Sequence, residues 1–210
     1  MIEIIPGINE KTFDEIQRQF NSVKNLVDWV QIDVLDNTLI YNDTYNNFEA
    51  FRIFNGTVKL EAHLMVAQPE NYVQRLVDNG FTRLIAHVEV ESIRDFLDKG
   101  RSYQIELGVA LDAPSALELV EPYLGEVDTV LLMMYKAGMS GQAFQVEQLV
   151  KIKKIHEDFP KLPIEVDGGI NKTTAPLVKE NGASRLVSTS FLFWKNPDRL
   201  AEAIEELKTA

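Results

Sequence analysis

The sequence predicts an α/β protein whose eight strands close into one (β/α)8 barrel of the TIM type. Three observations carry this expectation. Short apolar runs, most of them rich in Val, Ile and Leu, recur eight times along the 210 residues. Amphipathic stretches with helical spacing separate several of them. No Pro/Gly/Ser-rich linker or shift in composition divides the chain, so residues 1–210 read as a single domain. Near-continuous apolar runs are expected of strands covered on both faces. Alternation with helices implies parallel pairing. An open doubly wound sheet is the runner-up, but eight units of about 26 residues each favour closure.

In chain order, the strand candidates are Ile2–Ile5, Trp29–Val34, Val58–Met65, Arg83–His87, Ile105–Leu111, Thr129–Met133, Pro163–Val166 and Arg185–Ser188. Between the third and fourth runs, Pro69 opens a helix and Gly80 closes it, with Val73, Leu76 and Val77 on one face. Val146, Leu149, Val150 and Ile155 suit another helix face. Asn196-Pro197 reads as an N-cap and first-turn proline, followed by Leu200, Ala203, Ile204 and Leu207 at i, i+3, i+4 and i+7 spacing. Asn42 to Gly56 is polar and aromatic, and its pattern places no helix there. Asn79–Ile85 resembles Asn181–Val187, and both read as a helix stop followed by a strand start. Half-barrel symmetry and two similar turns both account for that echo.

Composition is ordinary for a globular chain, 45% hydrophobic and 25% charged. The net charge of −11 argues against nucleic acid and anionic membranes as partners. A phosphorylated small molecule remains compatible, because backbone N–H groups bind phosphate inside acidic proteins. With no cysteine, disulfides, thiolate metal sites and thiol nucleophiles are excluded. The N-terminus lacks a basic segment and a long apolar stretch, and the longest apolar run is far too short for a bilayer; a cytoplasmic location is expected.

Active sites of such barrels lie at the C-terminal ends of the strands. The second run ends Gln31-Ile32-Asp33-Val34-Leu35, the third His63-Leu64-Met65 and the seventh Val166-Asp167-Gly168-Gly169. Asp33 and Asp167 therefore come from strands three steps apart around the barrel, and both can reach the mouth. Two carboxylates on opposite sides of a substrate can remove a proton from one face and return one to the other. A free Asp, with pKa ~3.9, is too weak a base for a hydroxyketone unless the enediolate is stabilised by a metal or by fixed donors. Asp33, His63, Asp167 and the Gln31 carbonyl can supply metal ligands. An Asp at a strand end also caps turns, and that reading is slightly favoured for Asp33 taken alone, whereas function is favoured for Asp167 before Gly-Gly.

Gly168-Gly169 after the seventh run and Ser188-Thr189-Ser190 after the eighth together suit a phosphate site. Gly138 to Gly141 reads as a loop able to close over the mouth, or equally as an ordinary surface loop. His87 with Glu89 reads as a hydrogen-bonded structural pair, and His156 as solvated. Met65, Met133 and Met134 read as core or pocket lining.

Taken together, these segments resemble the ribulose-phosphate 3-epimerase family, over nearly the whole chain and in order. Ile5-Pro6-Gly7-Ile8 is similar to that family's Ala-Pro-Ser-Ile. Gln31 to Asn37 resembles His-x-Asp-x-Met-Asp-Gly, and His63-Leu64-Met65-Val66 is identical to His-Leu-Met-Val. His87-Val88-Glu89 resembles His-x-Glu. Met133 to Phe144 follows Met-Thr-Val-x-Pro-Gly-Phe-Gly-Gly-Gln-x-Phe, Val166 to Gly169 is Val-Asp-Gly-Gly, and Asn181 to Phe193 resembles Ala-Gly-Ala-Asn-x-x-Val-x-Gly-Ser-Ala-Ile-Phe.

The resemblance implies a ribulose-phosphate-binding barrel that interconverts D-ribulose 5-phosphate and D-xylulose 5-phosphate by proton transfer at C3. It implies Asp33 and Asp167 as the acid/base pair, and Asp33, His63, Asp167 and, at the family's His position, Gln31 as ligands of a divalent ion (zinc, manganese or iron). It further implies phosphate or substrate contacts at Gly7, Met65, Met133, Gly138, Gly141, Gln142, Gly168, Gly169, Thr189 and Ser190, and a homo-oligomer. Departures are Gln31 for His, Gly7 for Ser, Leu35 for Met, Ala137 for Pro, Ser140 for Gly, Thr189 for Gly and Phe191 for a small residue. An amide oxygen replaces imidazole poorly around zinc, leaving weaker binding, a harder ion such as Mn²⁺ or Mg²⁺, or no ion. Thr189 tolerates unusual φ less well than Gly. The alternatives are a non-catalytic sugar-phosphate binder, an epimerase of another ketose phosphate such as allulose 6-phosphate, and a decarboxylase or aldolase on the same barrel. That last class resembles Asp-x-Lys-x-x-Asp, and Glu61 to Val66 has no Lys.

Overall fold

The computed structural model describes residues 2–138 and 141–210. Eight parallel strands form a closed barrel in sequential order. They are β1 (Glu3–Ile8), β2 (Trp29–Leu35), β3 (Lys59–Met65), β4 (Phe81–His87), β5 (Glu106–Leu111), β6 (Thr129–Met133), β7 (Ile164–Asp167) and β8 (Arg185–Ser188). Each coincides with or overlaps an apolar run of the sequence. All seven residues of β2 are buried, as double coverage requires.

Successive side chains alternate between two surroundings. Val30, Ile32 and Val34 join the large core between strands and helices. Leu35 joins Met65, Ile85, Ala110, Leu131, Met133 and Tyr135 inside the barrel. Much of the interior is polar. At the floor, Arg83 lies 2.6 Å from Glu61, 2.8 Å from Glu106 and 3.7 Å from Glu165, with its guanidinium 3.6 Å from the centre of the Trp29 ring.

The helices are α1 (Phe13–Val23), α2 (Val73–Val77), α3 (Ile93–Gly100), α4 (Leu149–Asp158), α5 (Ala175–Glu180), α6 (Ser190–Phe193) and α7 (Leu200–Thr209). Thr12 caps α1, its Oγ1 accepting from the Glu15 N–H. The polar, aromatic stretch after β2 forms a 3₁₀ turn over Phe48–Phe54, with Phe48, Phe51 and Phe54 buried. Pro69 opens a 3₁₀ turn that leads into α2. Gly80 and Gly182, the two halves of the sequence echo, both adopt positive φ between a helix and a strand, before β4 and β8 respectively.

Two helix expectations are corrected. The buried face of α4 is Ile152 and Ile155; Val146 lies in the 3₁₀ turn before the helix and Val150 stands roughly 200° round the helix from Ile152, so both are exposed. Asn196 does not cap α7, whose N-cap is Arg199; its side chain instead donates to the Phe191 carbonyl and secures the end of α6. The four buried residues expected of α7 are all found.

Candidate active site

Parallel register builds the site. Asp33 on β2 pairs with His63 on β3, Asp167 on β7 pairs with Met133 on β6, and Gly7 on β1 pairs with Gln31. The C-terminal ends of β2, β3 and β7 thus bring Asp33, His63 and Asp167 together, with one potential ligand atom from each within 4.8 Å of the others. Asn9, Asp33, Met65, Met133, Tyr135, Gly138 and Asp167 line a cavity of about 10 Å³ between them. That is room for about one water or one ion. A far larger groove, about 770 Å³, lies at the opposite end of the barrel and contains none of these groups.

Gln31 Nε2 donates to Asp33 Oδ1 at 2.8 Å and to Asp167 Oδ2 at 3.3 Å. Asn9 Nδ2 donates to Asp33 Oδ2 at 2.9 Å. His63 Nδ1 stands 3.3 Å from Asp33 Oδ1 and 3.8 Å from Asp167 Oδ2. Burial, then the charge of Asp33, raises the Asp167 pKa to about 7. Burial alone would depress His63, but Asp33, with Asp167 and Glu61, outweighs it and raises the ring's pKa. The cavity is therefore one in which positive charge is favoured.

Behind His63, a chain of groups fixes the ring. His63 Nε2 meets His87 Nε2 at 2.9 Å, and His87 Nδ1 meets Glu89 Oε2 at 3.0 Å. Burial, together with His63, lowers the His87 pKa. Burial alone would raise Glu89, but His87, Ser115 and the Asp112 N–H outweigh it and hold that carboxyl at about 2. An ionised Glu89 only accepts, so neutral His87 carries its proton on Nδ1 and accepts from His63 Nε2–H. His63 is thus left with Nδ1 directed at the two carboxylates, and that atom is buried without a hydrogen-bond partner.

These residues fit a divalent cation. Two carboxylates and an imidazole nitrogen converge, the imidazole atom is orphaned, and its far side is held by a hydrogen-bonded partner as in metal sites generally. Gln31 can add an oxygen only by turning over its amide, since its nitrogen now faces the carboxylates and its buried Oε1 has no partner.

The remaining sequence candidates lie around the same end. Gly168 and Gly169 follow Asp167, and Thr189 and Ser190 follow β8, the strand next to β7. A Cβ at Gly7 would stand 2.7 Å from Thr189 Oγ1 and 2.9 Å from Val187 Cγ1, so the Thr189 hydroxyl sits beside position 7 across the β1–β8 seam. Thr189 has φ −106°, an ordinary value, which overturns the expectation of strain there. Gly138 abuts Ile40 and accepts from Asn42 Nδ2 at 2.9 Å, joining the loops after β6 and β2 over the mouth. Gln142 Nε2 donates to the Lys136 carbonyl within the β6 loop, and Gly141 lies beside Trp194. Met139 and Ser140 of this loop fall outside the described residues. Ala137 uses the N–H that a proline would lack, donating to Asp112 Oδ1 at 2.7 Å. Phe191 is buried in the outer core.

A parallel eight-stranded barrel with an acid pair and an imidazole at its C-terminal mouth defines a barrel enzyme equipped for proton transfer. Similarity to known proteins narrows this class. The family model for the ribulose-phosphate 3 epimerase family matches residues 3–193. The chain is 31% identical to the ribulose-phosphate 3-epimerase of Bacillus subtilis over 99% of both proteins. It is 28% identical to that of Schizosaccharomyces pombe, over 91% of this chain and 86% of the relative. Among solved structures, KGPDC from Streptococcus mutans superposes with a TM-score of 0.79 at 14% identity, covering 99% of this chain and 98% of the other, a likeness of fold. The chain belongs to the ribulose-phosphate 3-epimerase family.

Proposed function

We propose that this protein interconverts D-ribulose 5-phosphate and D-xylulose 5-phosphate, with Asp33 and Asp167 as the two acid/base groups. The carrying observation is that carboxylates from β2 and β7 converge on one cavity beside His63. One carboxylate takes the C3 proton from one face of the ketose, and the other delivers a proton to the opposite face. In the ion-free site burial and the neighbouring Asp33 raise Asp167 to about 7, so the pair holds a proton near neutrality there. Asp33, His63 and Asp167, with Gln31 when its amide is turned, would hold a divalent ion. Such an ion, when bound, supplies Lewis-acid stabilisation of the negative charge on the enediolate oxygens. Asn9 and Gln31 orient Asp33, and the loops after β2 and β6 exclude water.

The phosphate is assigned to Gly168, Gly169, Thr189 and Ser190. Gly7, Met65, Met133, Gly138, Gly141 and Gln142 are assigned to the walls around the sugar. Reaction in the cytoplasm, within pentose phosphate metabolism, and association into a homo-oligomer belong to the same reading.

The test follows the C3 proton by NMR in D₂O with D-ribulose 5-phosphate, with and without Mn²⁺ or Zn²⁺. Loss of that signal with appearance of xylulose 5-phosphate is expected. Asp33→Asn and Asp167→Asn should each lower turnover by about 10³-fold, within the range for losing a general acid or base. A sugar-phosphate binder without catalysis would show no exchange and would keep its affinity in Asp33→Asn.

A further inference from the structure

Taking Asp33 and Asp167 as the acid/base pair assigned above, we infer that Asn9 is a positioning residue for the reaction, acting through Asp33. Asn9 is the second residue beyond Gly7, and the two-residue alternation of β1 brings its side chain to the same interior. It lines the cavity shared by Asp33 and Asp167. Its Nδ2 donates to Asp33 Oδ2 at 2.9 Å, across 24 residues of chain. The amide nitrogen is the end of Asn9 that can donate to a carboxyl oxygen, and it is the end that faces Asp33. Asn9 does not cap α1, a role filled by Thr12.

Gln31 holds the other oxygen, Oδ1, at 2.8 Å. Asp33 is thus gripped at both oxygens by carboxamides from β2 and from the end of β1, which fixes the plane of its carboxyl group. Among the described residues, Asp167 receives a longer 3.3 Å hydrogen bond from Gln31, with His63 Nδ1 at 3.8 Å. The two acid/base groups are held unequally, and Asn9 accounts for half of the firmer grip. An outer partner of this kind typically changes activity by ~10–100-fold when removed.

The asymmetry gives a signature that general loosening of the site lacks. Asn9→Leu keeps the branched shape, with a larger volume, and removes the donor; Asn9→Ser retains a shorter donor. In Asn9→Leu, kcat is expected to fall about tenfold with KM within about twofold, and Asn9→Ser should recover part of kcat. Each epimer is then incubated separately in D₂O. For the epimer whose proton Asp167 removes, the enediolate still forms, while Asp33 delivers its proton late. Deuterium should therefore enter recovered substrate faster relative to product than in the wild type. For the other epimer that ratio should not rise. In metal-free protein, the Asn9 side-chain amide proton should resonate downfield and move back in Asp33→Ala. Equal ratios for both epimers, kcat unchanged, or an Asn9 amide indifferent to Asp33→Ala would each overturn the inference. A wild type that neither exchanges nor epimerises would instead overturn the assigned function.

Discussion

The side chain missing at Gly7 is matched by one gained at Thr189. Each looks, in sequence, like an isolated loss or intrusion, because the two lie at opposite ends of the chain. The seam between β1 and β8 makes them neighbours, and the space that a Cβ at position 7 needs is taken by Thr189 Oγ1 and by Val187 Cγ1. Gly7→Ser alone should therefore destabilise the protein, and Thr189→Gly introduced with it should recover part of the loss. A double-mutant cycle in urea should give a coupling of about 1–3 kcal/mol; additivity would show that the two positions do not compete. Neighbours brought together across the barrel in this way leave no local mark in the sequence. Asp33, His63 and Asp167 are legible because each is a polar residue at or within two residues of the C-terminal end of an apolar strand. Asn9 was overlooked, although its place two residues beyond Gly7 was the available signal. His87 was read as a structural partner, and nothing local to it reveals that it meets His63 from the neighbouring strand.

At the scale of elements, eight strands were readable because burial on both faces leaves continuous apolar runs. The unit after β2 was not, because it is stabilised by ring packing without helical periodicity. Phe51 lies 5.3 Å from Phe81, 5.7 Å from Phe13 and 6.0 Å from Phe54, between ring centres. Phe51→Ala should cost about 3–5 kcal/mol, the range for emptying a buried aromatic site. Tyr41→Ala, in the exposed loop just before it, should change stability by less than about 0.5 kcal/mol. Urea midpoints compare them; similar values would mean that the aromatic cluster does not hold this segment. The starts of α4 and α7 were misplaced for a related reason. Short 3₁₀ turns and bends lead into these helices and shift the expected face or cap.

Over the whole molecule, the barrel interior combines an apolar cluster with an ionic layer at its floor, where aliphatic side chains would serve for packing. The lower layer concentrates Glu61, Glu165 and Arg83, all fully buried, with Glu3, Glu106 and Arg185 around them. Burial, then the charge of Glu61, pushes the Glu165 carboxyl well above the usual range. A raised folded-state value means that stability is fully present below the unfolded value of ~4.3 and is lost as pH rises through the folded one. Glu165→Gln removes the ionisation. The variant should thus melt above the wild type near pH ~8.5 by about 2–4 °C for each kcal/mol relieved, with the gap closing near pH ~5. A gap independent of pH would place the effect in packing and not in charge.

With Asn42 bonded to Gly138 and Ile40 lodged against it, the space between the two aspartates is a small fraction of a ketose phosphate. For an epimerase, each cycle then begins and ends with that bridge broken. Breaking the Asn42–Gly138 hydrogen bond with Asn42→Ala should therefore change KM and kcat together if the two loops gate entry. An enediolate formed with the bridge closed is held between the two carboxylates until it is reprotonated at C3.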